Sequence, residues 1–371
     1  MLDRLAFASF IALVAIWAGY PALIAAAASL RSLRRRPASA TPPASVSVII
    51  ASREPAETIA ARVHDVLDTD LALPLEVIVA VDRAKFEQTR AALATLAPAA
   101  RVVAGDAEGG KAASLNAGVR AASGDVLIFT DTHQRFDRST MPVLTSAIAD
   151  ARAGAVSGAL ALPPGTPPLV HAYWSFERWL RAMEARVHSA VGVTGAVYAM
   201  RRSAWTPLPA GLLLDDVWVP MRLILDGARI GFEPGARARE TRTPEPEHEY
   251  RRKVRTLTGV FQLCAWLPAV LLPWRNPIWV QFVFHKLLRL LTPYLILVIG
   301  AWAVATLARG PGAWALLAGA AVAIPALWLW RTRSRLGRRL RTVLAEAVLL
   351  QLAMLKAGWN GVRRRWHVWD G

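Results

Sequence analysis

The 371-residue chain has little of three things that would assign it quickly: cysteine, acidic residues and glycine-rich nucleotide motifs. A single cysteine, Cys264, excludes a disulfide framework and any metal site built from several thiolates. No Gly-x-Gly-x-x-Gly follows the first predicted strand, so a dinucleotide site of the Rossmann type has no support. The Gly-Gly-Lys at 109–111 lacks the upstream spacing of a Walker loop, so a P-loop NTPase has none either.

The shortage of acidic residues is confined to the two ends of the chain. In total, 44 Lys and Arg stand against 27 Asp and Glu, a formal net charge of +17. Residues 1–45 carry a net +4 and residues 256–371 a net +12, whereas residues 46–255 carry only +1. A nucleic-acid-binding protein would need its basic excess on the folded domain. The near-neutral middle of the chain therefore argues against that class.

The two basic ends also contain the long uncharged runs. These are residues 5–30, 290–308 and 312–330, and a bilayer core needs roughly 20 apolar residues in a helix. We predict one N-terminal transmembrane helix and a later transmembrane hairpin. The runs at 257–274 and 343–355 are broken by prolines or carry Glu346, which favours helices lying at the membrane surface.

These patterns predict an order of segments and an orientation. The segments are a transmembrane helix with a basic flank (1–36), a linker (37–44), a cytoplasmic α/β domain (45–256), interfacial helices (257–289), a transmembrane hairpin (290–330) and a basic cytoplasmic region with an interfacial helix (331–371). Arginines follow the first and the last predicted span, and Lys and Arg concentrate on the cytoplasmic side of membranes. The amino end is therefore expected outside and the carboxyl end inside.

The near-neutral middle alternates β-branched runs with helical patterns. Runs at 45–51, 75–81, 100–104 and 126–130 read as buried strands, separated by helices of about ten residues. This alternation predicts an α/β fold with a doubly wound, mostly parallel sheet. Ligands of such sheets bind beyond the carboxyl ends of the strands. Glu54, Asp82, Asp131 and His133 follow those ends and are the first candidate site residues.

Seven short motifs in the chain stand in the order found in one enzyme family. They are 48–54 (VIIASRE), 79–82 (VAVD), 109–118 (GGKAASLNAG), 124–131 (GDVLIFTD), 195–202 (GAVYAMRR), 214–216 (LDD) and 252–255 (RKVR). With the predicted membrane helices, residues 45–300 resemble the membrane-integrated family 2 glycosyltransferases, the group of the cellulose, hyaluronan and poly-N-acetylglucosamine synthases. The resemblance implies a glycosyltransferase A-type domain. It also implies a multi-pass protein of a bacterial inner (plasma) membrane that takes part in polysaccharide or glycolipid biosynthesis.

On the donor side, the resemblance implies a set of residues that bind a nucleotide sugar, most simply a UDP-sugar. Glu54 and Asp82 would hold the nucleoside, and Lys111 would lie by the diphosphate at a helix start. Asp131 would bind a divalent metal, Mn²⁺ or Mg²⁺, that bridges the phosphates, with His133 as a second candidate ligand.

The acceptor side follows from the later motifs. Asp216 would be the general base of an inverting transfer, with Asp215 raising its pKa by like charge. Thr194 and Gly195 would form the acceptor-side turn. In the same family pattern, Arg252 and Arg255, three apart on a helix and so on one face, would reach the leaving diphosphate.

Two departures from the family pattern narrow the function. Asp131-Thr132-His133 stands where the family commonly has Asp-x-Asp, and imidazole suits Mn²⁺ better than Mg²⁺. Thr256 follows Arg255 where processive synthases carry a tryptophan, which removes an aromatic platform for a growing sugar chain. A single-addition transferase with a lipid-linked or membrane-adjacent acceptor is therefore favoured over a processive, polymer-extruding synthase.

Other interpretations of the same residues remain open at this stage. A membrane-anchored nucleotide-binding regulator would need Asp82 and Lys111 but not Asp216. Asp82 alone would also serve as a helix N-cap, and Lys111 alone as a solvated surface lysine. His285, beside Lys286, is expected at the level of the lipid headgroups.

Overall fold

The computed structural model describes residues 1–32, 41–96, 98–105, 110–242, 246–308, 312, 327, 331 and 335–367. Its strands are β1 (Val46–Ser52), β2 (Leu75–Asp82), β3 (Ala100–Gly105), β4 (Val126–Thr130), β5 (Gln134–Phe136), β6 (Ala153–Ala161), β7 (Tyr198–Arg201) and β8 (Arg229–Glu240). Its α-helices are α1 (Leu2–Val14), α2 (Tyr20–Ser32), α3 (Ala56–Leu67), α4 (Phe86–Ala92), α5 (Gly110–Ala121), α6 (Thr140–Ile148), α7 (Pro168–Val187), α8 (Asp215–Leu225), α9 (Pro246–Trp266), α10 (Trp279–Phe282), α11 (Thr292–Ala308) and α12 (Arg335–Val362).

The strands form one mixed sheet in the order β3-β2-β1-β4-β7-β6-β8-β5. The four predicted strands form its parallel half, in which β1 pairs with β2 and β4, and β2 pairs with β3. Beyond β4 the sheet turns antiparallel at β7. The predicted α/β class is confirmed, and the antiparallel strands are what the sequence pattern did not indicate.

Both faces of the sheet are covered, which is why its strands read as continuous apolar runs. In β1, Ile49 faces a core layer that contains Leu115 of α5 and Val260 of α9. Val48 faces the opposite layer, with Ile59 of α3 and other apolar side chains. Alternation along the strand thus puts one core on each side and leaves the strand ends free for polar residues.

Helix α5 approaches the sheet closely because glycine faces it. A Cβ on Gly118 would lie 2.8 Å from Cγ2 of Ile49, closer than side chains tolerate. At the first residue of the helix, Gly110 has φ +62°, a backbone conformation that favours glycine. The two glycines fix the start of α5, and with it Lys111, against the carboxyl edge of the sheet.

Three helical stretches among the described residues are long and apolar enough to cross a membrane. They are Leu2–Arg31, Trp279–Thr306 and Arg341–Val362. The first matches the predicted N-terminal span, and the second contains the first arm of the predicted hairpin. Of the second arm, 312–330, only Gly312 and Leu327 are described, so that arm stays a prediction.

The third stretch differs from the sequence prediction. Residues 343–355 were expected as a short interfacial helix, yet they lie within the 28-residue α12. The helix continues through Arg341, Glu346 and Lys356, because long straight-chain residues are good helix formers. Length and composition therefore make α12 a third candidate span.

The first part of the segment predicted to lie at the membrane surface, at the end of α9, packs on the α/β domain. Helix α9 runs across the predicted boundary at 256/257 and ends at Trp266, before the 3₁₀ turn Pro268–Leu271. Val260 and Leu263 are buried, and the Gln262 side chain accepts a hydrogen bond from the Leu213 amide at 2.9 Å. The domain thus extends beyond 256, because the apolar face of α9 is needed to cover the segment before α8.

Candidate functional site

The carboxyl edge of the parallel strands gathers the predicted donor-side residues into pairs of an acidic with a basic side chain. Arg53, after β1, lies 3.2 Å from Asp82 at the end of β2. His133 Nε2 lies 2.8 Å from Glu54 Oε1, without hydrogen-bond geometry. Since parallel strands end at one edge, these side chains meet although they lie far apart in sequence.

Lys111 lies between acids of both halves of the site. Its Nζ is 3.1 Å from Asp131 Oδ1 and 3.8 Å from Asp215 Oδ2. Burial lowers the pKa of Lys111, but the two carboxylates outweigh it, and the net shift is upward. The interpretation of Lys111 as a solvated surface lysine is wrong: it is a fixed cation that joins the donor and acceptor sides.

Asp215 and Asp216 open α8, where the helix dipole favours negative charge. The backbone carbonyl of Asp216 accepts a hydrogen bond from the Val193 amide at 2.8 Å. Its carboxylate Oδ1 is buried and has no hydrogen-bond partner among the described residues. Burial, followed by the charge of Asp215, raises the pKa of Asp216 against the opposing charges of Lys111, Lys286 and Arg181.

The predicted acceptor-side turn lies directly against this carboxylate. A Cβ on Gly195 would be 3.6 Å from Cβ of Asp216, so a small residue keeps the approach to Asp216 open. The amide of Thr194 donates to Oγ of Ser157 at 2.9 Å. Arg181 of α7 donates to Oγ1 of Thr194 at 3.1 Å. The turn is therefore held rigidly by β6 on one side and by α7 on the other.

The two arginines of α9 have different surroundings although they are three residues apart. Arg252 makes two hydrogen bonds of 2.9 Å to Glu249, and its side chain is 52% exposed. Burial lowers the pKa of Arg255, with Asp215 and Asp216 opposing that shift. The structure brings Arg255 to the acids of α8 and ties Arg252 to a neighbour on its own helix.

Several residues of the site carry no sequence signal that would have selected them. Tyr198 in β7 has a buried hydroxyl with no hydrogen-bond partner among the described residues. Burial raises its pKa, and Asp215, Asp216 and Asp131 raise it further. Its ring is stacked on Phe129 at 4.6 Å. Tyr198 lies within motif 195–202, but its burial beneath the acids follows only from the pairing of β7 with β4.

A second group of residues that no sequence pattern indicated supports the end of β4. Arg62 of α3 is fully buried and donates to Oγ1 of Thr130 at 2.7 Å. Its guanidinium lies 4.1 Å from the centre of the Phe136 ring. Burial lowers the pKa of Arg62 to about 10. Thr132 donates to Oγ of Ser52 at 2.7 Å. These contacts fix the loop from Asp131 to His133 without contributing a ligand.

His285 is buried inside the protein, with 2% of its surface exposed. Its expected depth, at the level of the lipid headgroups, stays a prediction. Its Nδ1 lies 2.8 Å from Glu184 Oε1, and its Nε2 lies 2.9 Å from Glu177 Oε2. A histidine between two carboxylates of α7 is stabilised inside the protein, and a sequence gives no sign of acids 101 and 108 residues away.

Comparison with known proteins adds the class of this domain. Residues 47–205, less than half of the chain, match the family model for glycosyl transferase family 2. A solved structure of a mannosyltransferase from Pyrobaculum calidifontis, in complex with GDP-Man and Mn²⁺, has 23% identity and a TM-score of 0.70, covering 98% of this chain and 100% of that one. A mannosyl-3-phosphoglycerate synthase from Rubrobacter xylanophilus has 15% identity and a TM-score of 0.43, covering 60% and 74%. No curated protein matches the chain at a significant level.

The fold and the family match together define the enzyme class. The mixed sheet with its helices is a glycosyltransferase A-type fold. With residues 47–205 matching the family 2 glycosyl transferase model, the chain is a glycosyltransferase.

Proposed function

We propose that the protein transfers a sugar, with inversion, from a nucleotide diphosphate sugar to a hydroxyl of a lipid-linked or membrane-adjacent acceptor. Asp216 is the general base. The observation that carries the proposal is its buried Oδ1, which lacks a hydrogen-bond partner in the described part of the chain. A carboxylate with a raised pKa and a free oxygen beside an open turn is suited to accept a proton from a hydroxyl.

The donor would lie over the edge formed by β1, β2 and β4. Glu54 and Asp82 would bind the nucleoside, and Lys111 with Arg255 and Arg252 would neutralise the diphosphate as it leaves. We expected a UDP-sugar, whereas the related mannosyltransferase holds GDP-Man. Both nucleosides therefore belong in the test.

A divalent cation fits this edge in part. No group of three His, Cys, Asp or Glu side chains placed to hold a metal occurs among the described residues. Mg²⁺ or Mn²⁺ in such enzymes is commonly bound by one or two carboxylates together with substrate phosphates, and Asp131 supplies such a carboxylate. His133 is the second candidate ligand, now paired with Glu54. The cation would neutralise charge on the leaving diphosphate, as the Mn²⁺ in the structure of the related mannosyltransferase suggests.

The apolar helices support a membrane location. We propose a multi-pass protein of the bacterial inner membrane whose glycosyltransferase domain faces the cytoplasm, as the flanking arginines predict. The acceptor would then reach Asp216 from the membrane side of the domain.

The test is nucleotide release by the detergent-purified full chain with a panel of UDP- and GDP-sugars and a lipid extract. We expect release to depend on Mg²⁺ or Mn²⁺ and to fall about 1,000-fold in Asp216→Asn. Asp226→Asn is the matched control, because Asp226 is an exposed acid at the other end of α8. An unchanged rate in Asp216→Asn would refute the base assignment. Nucleotide binding without turnover of any donor would favour the regulator.

A further inference from the structure

One face of α7 carries three charged side chains that point toward the site and the membrane segments. Glu177, Arg181 and Glu184 are spaced four and three residues apart, so they lie on the same side of the helix. Glu177 and Glu184 are buried. Arg181 lies between them along the helix and donates to Thr194 beside Asp216.

The two glutamates are already neutralised by the segment before α11. Arg289 forms an ion pair with Glu177, and His285 has one ring nitrogen on each glutamate. Glu177 and Glu184 thus both have a basic side chain as a partner within one buried cluster.

Two other cations of these segments, Arg181 and Lys286, take no part in this pairing. Neither has an acidic partner within ion-pair distance anywhere in the described ranges, and both are half-buried. Lys286 directly follows His285, whose contacts with Glu177 and Glu184 hold this segment against the face of α7 that carries Arg181. Arg181 reaches the turn beside Asp216 through its hydrogen bond to Thr194, and the charges of both cations lower the pKa of Asp216 against burial and the charge of Asp215. Half-buried charges without a counter-ion are costly, and an anionic ligand removes that cost.

The two cations lie where the membrane helices meet the domain. Lys286 falls within the apolar stretch Trp279–Thr306. Tyr20 of α2, in the first apolar stretch, donates to Glu184 Oε1 at 2.5 Å and stacks on Phe284 at 5.5 Å. Both candidate spans therefore converge on the cluster that holds Lys286. Phosphate is the anionic group that membrane lipids commonly carry, so a lipid phosphate is the anion expected at this point.

We propose that Arg181 and Lys286 bind the phosphate of a lipid acceptor next to Asp216. This rests on the proposed function and names its acceptor class: a phospholipid whose headgroup hydroxyl lies beside its phosphate. In the transfer, the bond from the anomeric carbon to the diphosphate oxygen breaks, and the electron pair leaves on the nucleoside diphosphate. The headgroup oxygen forms the new bond to that carbon, and its proton passes to Asp216.

The test compares three lipids as acceptors, to identify which kind of lipid supplies the phosphate. The full chain in detergent is given an active donor and mixed micelles of phosphatidylglycerol, polyprenyl monophosphate or diacylglycerol. We expect labelled sugar on phosphatidylglycerol. Transfer to polyprenyl monophosphate instead would keep the phosphate site but make the phosphate oxygen the nucleophile. Diacylglycerol accepting sugar as well as the two phosphate-bearing lipids would overturn the proposal.

The variants separate acceptor binding from donor binding. Loss of a charged hydrogen bond costs roughly 10- to 100-fold in affinity, so Lys286→Gln and Arg181→Gln should raise the acceptor KM by that factor with a smaller change in kcat. Lys286→Arg should recover most of it. Arg186→Gln is the matched control, because Arg186 is exposed on the same helix, and we expect a change below about twofold. A rise in donor KM instead would place the cations on the diphosphate and overturn the proposal.

A binding measurement keeps this proposal distinct from the proposed function. Spin-labelled phosphatidylglycerol and polyprenyl monophosphate should each bind the wild-type chain more tightly than spin-labelled diacylglycerol. That preference should be lost in Lys286→Gln with a melting temperature at or slightly above that of the wild type, because a half-buried charge without a counter-ion is removed. Equal binding of all three lipids would refute the phosphate site even if sugar transfer occurs. Preferential binding without turnover of any donor would instead refute the proposed function alone.

Discussion

The two halves of the site differ in how their charges are matched. On the donor side, three charged or titratable pairs bring an acid to a basic side chain: Arg53 with Asp82, Lys111 with Asp131, and His133 with Glu54. On the acceptor side, Asp216 keeps a buried oxygen without a hydrogen-bond partner among the described residues. The donor side can exchange its pairs for the groups of a nucleotide diphosphate.

On the acceptor side, several buried or half-buried polar groups lack partners, and this half therefore says more about the ligand than the donor side does. Unpaired buried groups cost stability, so they persist where function requires them. Under the proposals above, the free oxygen of Asp216 and the two cations Arg181 and Lys286 would together bind a ligand with a hydroxyl and a negative charge. The donor side alone would not distinguish a transferase from a nucleotide-binding regulator.

After the roughly 1,000-fold loss expected for Asp216→Asn, the largest effect is expected where the two halves meet, at Lys111. Lys111→Met removes the cation between Asp131 and Asp215, so both carboxylates lose their ion pair with Lys111. We expect kcat/KM for the donor to fall about 100- to 1,000-fold, because a positive charge that stabilises the leaving group is lost. Nucleotide release measures this.

Lys356→Met is the control for Lys111→Met, because Lys356 is an exposed lysine of α12. It should keep the wild-type rate within about twofold. Wild-type kinetics in Lys111→Met would show that the pairing of Lys111 with the acids has no part in the reaction.

The next effect concerns the buried cluster behind the acceptor side. Glu184→Ala removes the acceptor for Tyr20 and one partner of His285. Breaking a buried ion pair from one side costs about 3 kcal/mol or more, because the remaining charge stays buried. We expect the melting temperature of the purified chain to fall by several degrees.

Glu87→Ala gives the matched comparison for Glu184→Ala. Glu87 pairs with Arg90 on the surface, with side chains 72% and 65% exposed, and such pairs contribute about 0–1 kcal/mol. Equal losses of stability in the two variants would show that the cluster around His285 does not hold the membrane segments to the domain.

A smaller effect follows from the raised pKa of Asp216. Because the fold favours its protonated form, ionised Asp216 lowers stability at neutral pH, and that cost disappears as pH falls through the raised pKa. Asp216→Asn should therefore melt a few degrees higher than wild type at pH 7.5, while the two converge in acid. The rate of transfer should have an acid limb above the ordinary aspartate pKa. A lower melting temperature at pH 7.5 would contradict the burial of an unpaired carboxylate.

What the sequence could predict depends on how far apart the interacting residues lie. Glu54, Asp82 and Asp131 follow strands that are read from local patterns, and one topological rule brings them to a common edge. Arg181 has no such pattern, because its role depends on the packing of α7 against the turn at Thr194. The contacts of His285 could not be predicted for the same reason: its two glutamates lie on a helix more than 100 residues earlier.

The smallest effect is expected at His133, and it decides whether the main role of this residue is its contact with Glu54 or the binding of the metal. The sequence made His133 a candidate metal ligand, whereas its Nε2 lies 2.8 Å from Glu54. If its main contact is with Glu54, His133→Gln should raise the donor KM about twofold to fivefold, the loss of one modest polar contact. The ratio of rates in Mn²⁺ and Mg²⁺ should then stay constant, because imidazole favours Mn²⁺ only where it binds the metal. Asp131→Asn is the positive control, since it should weaken activation by both cations. A shift of the His133→Gln variant toward Mg²⁺ would instead make His133 a ligand and its contact with Glu54 a second interaction of the same ring.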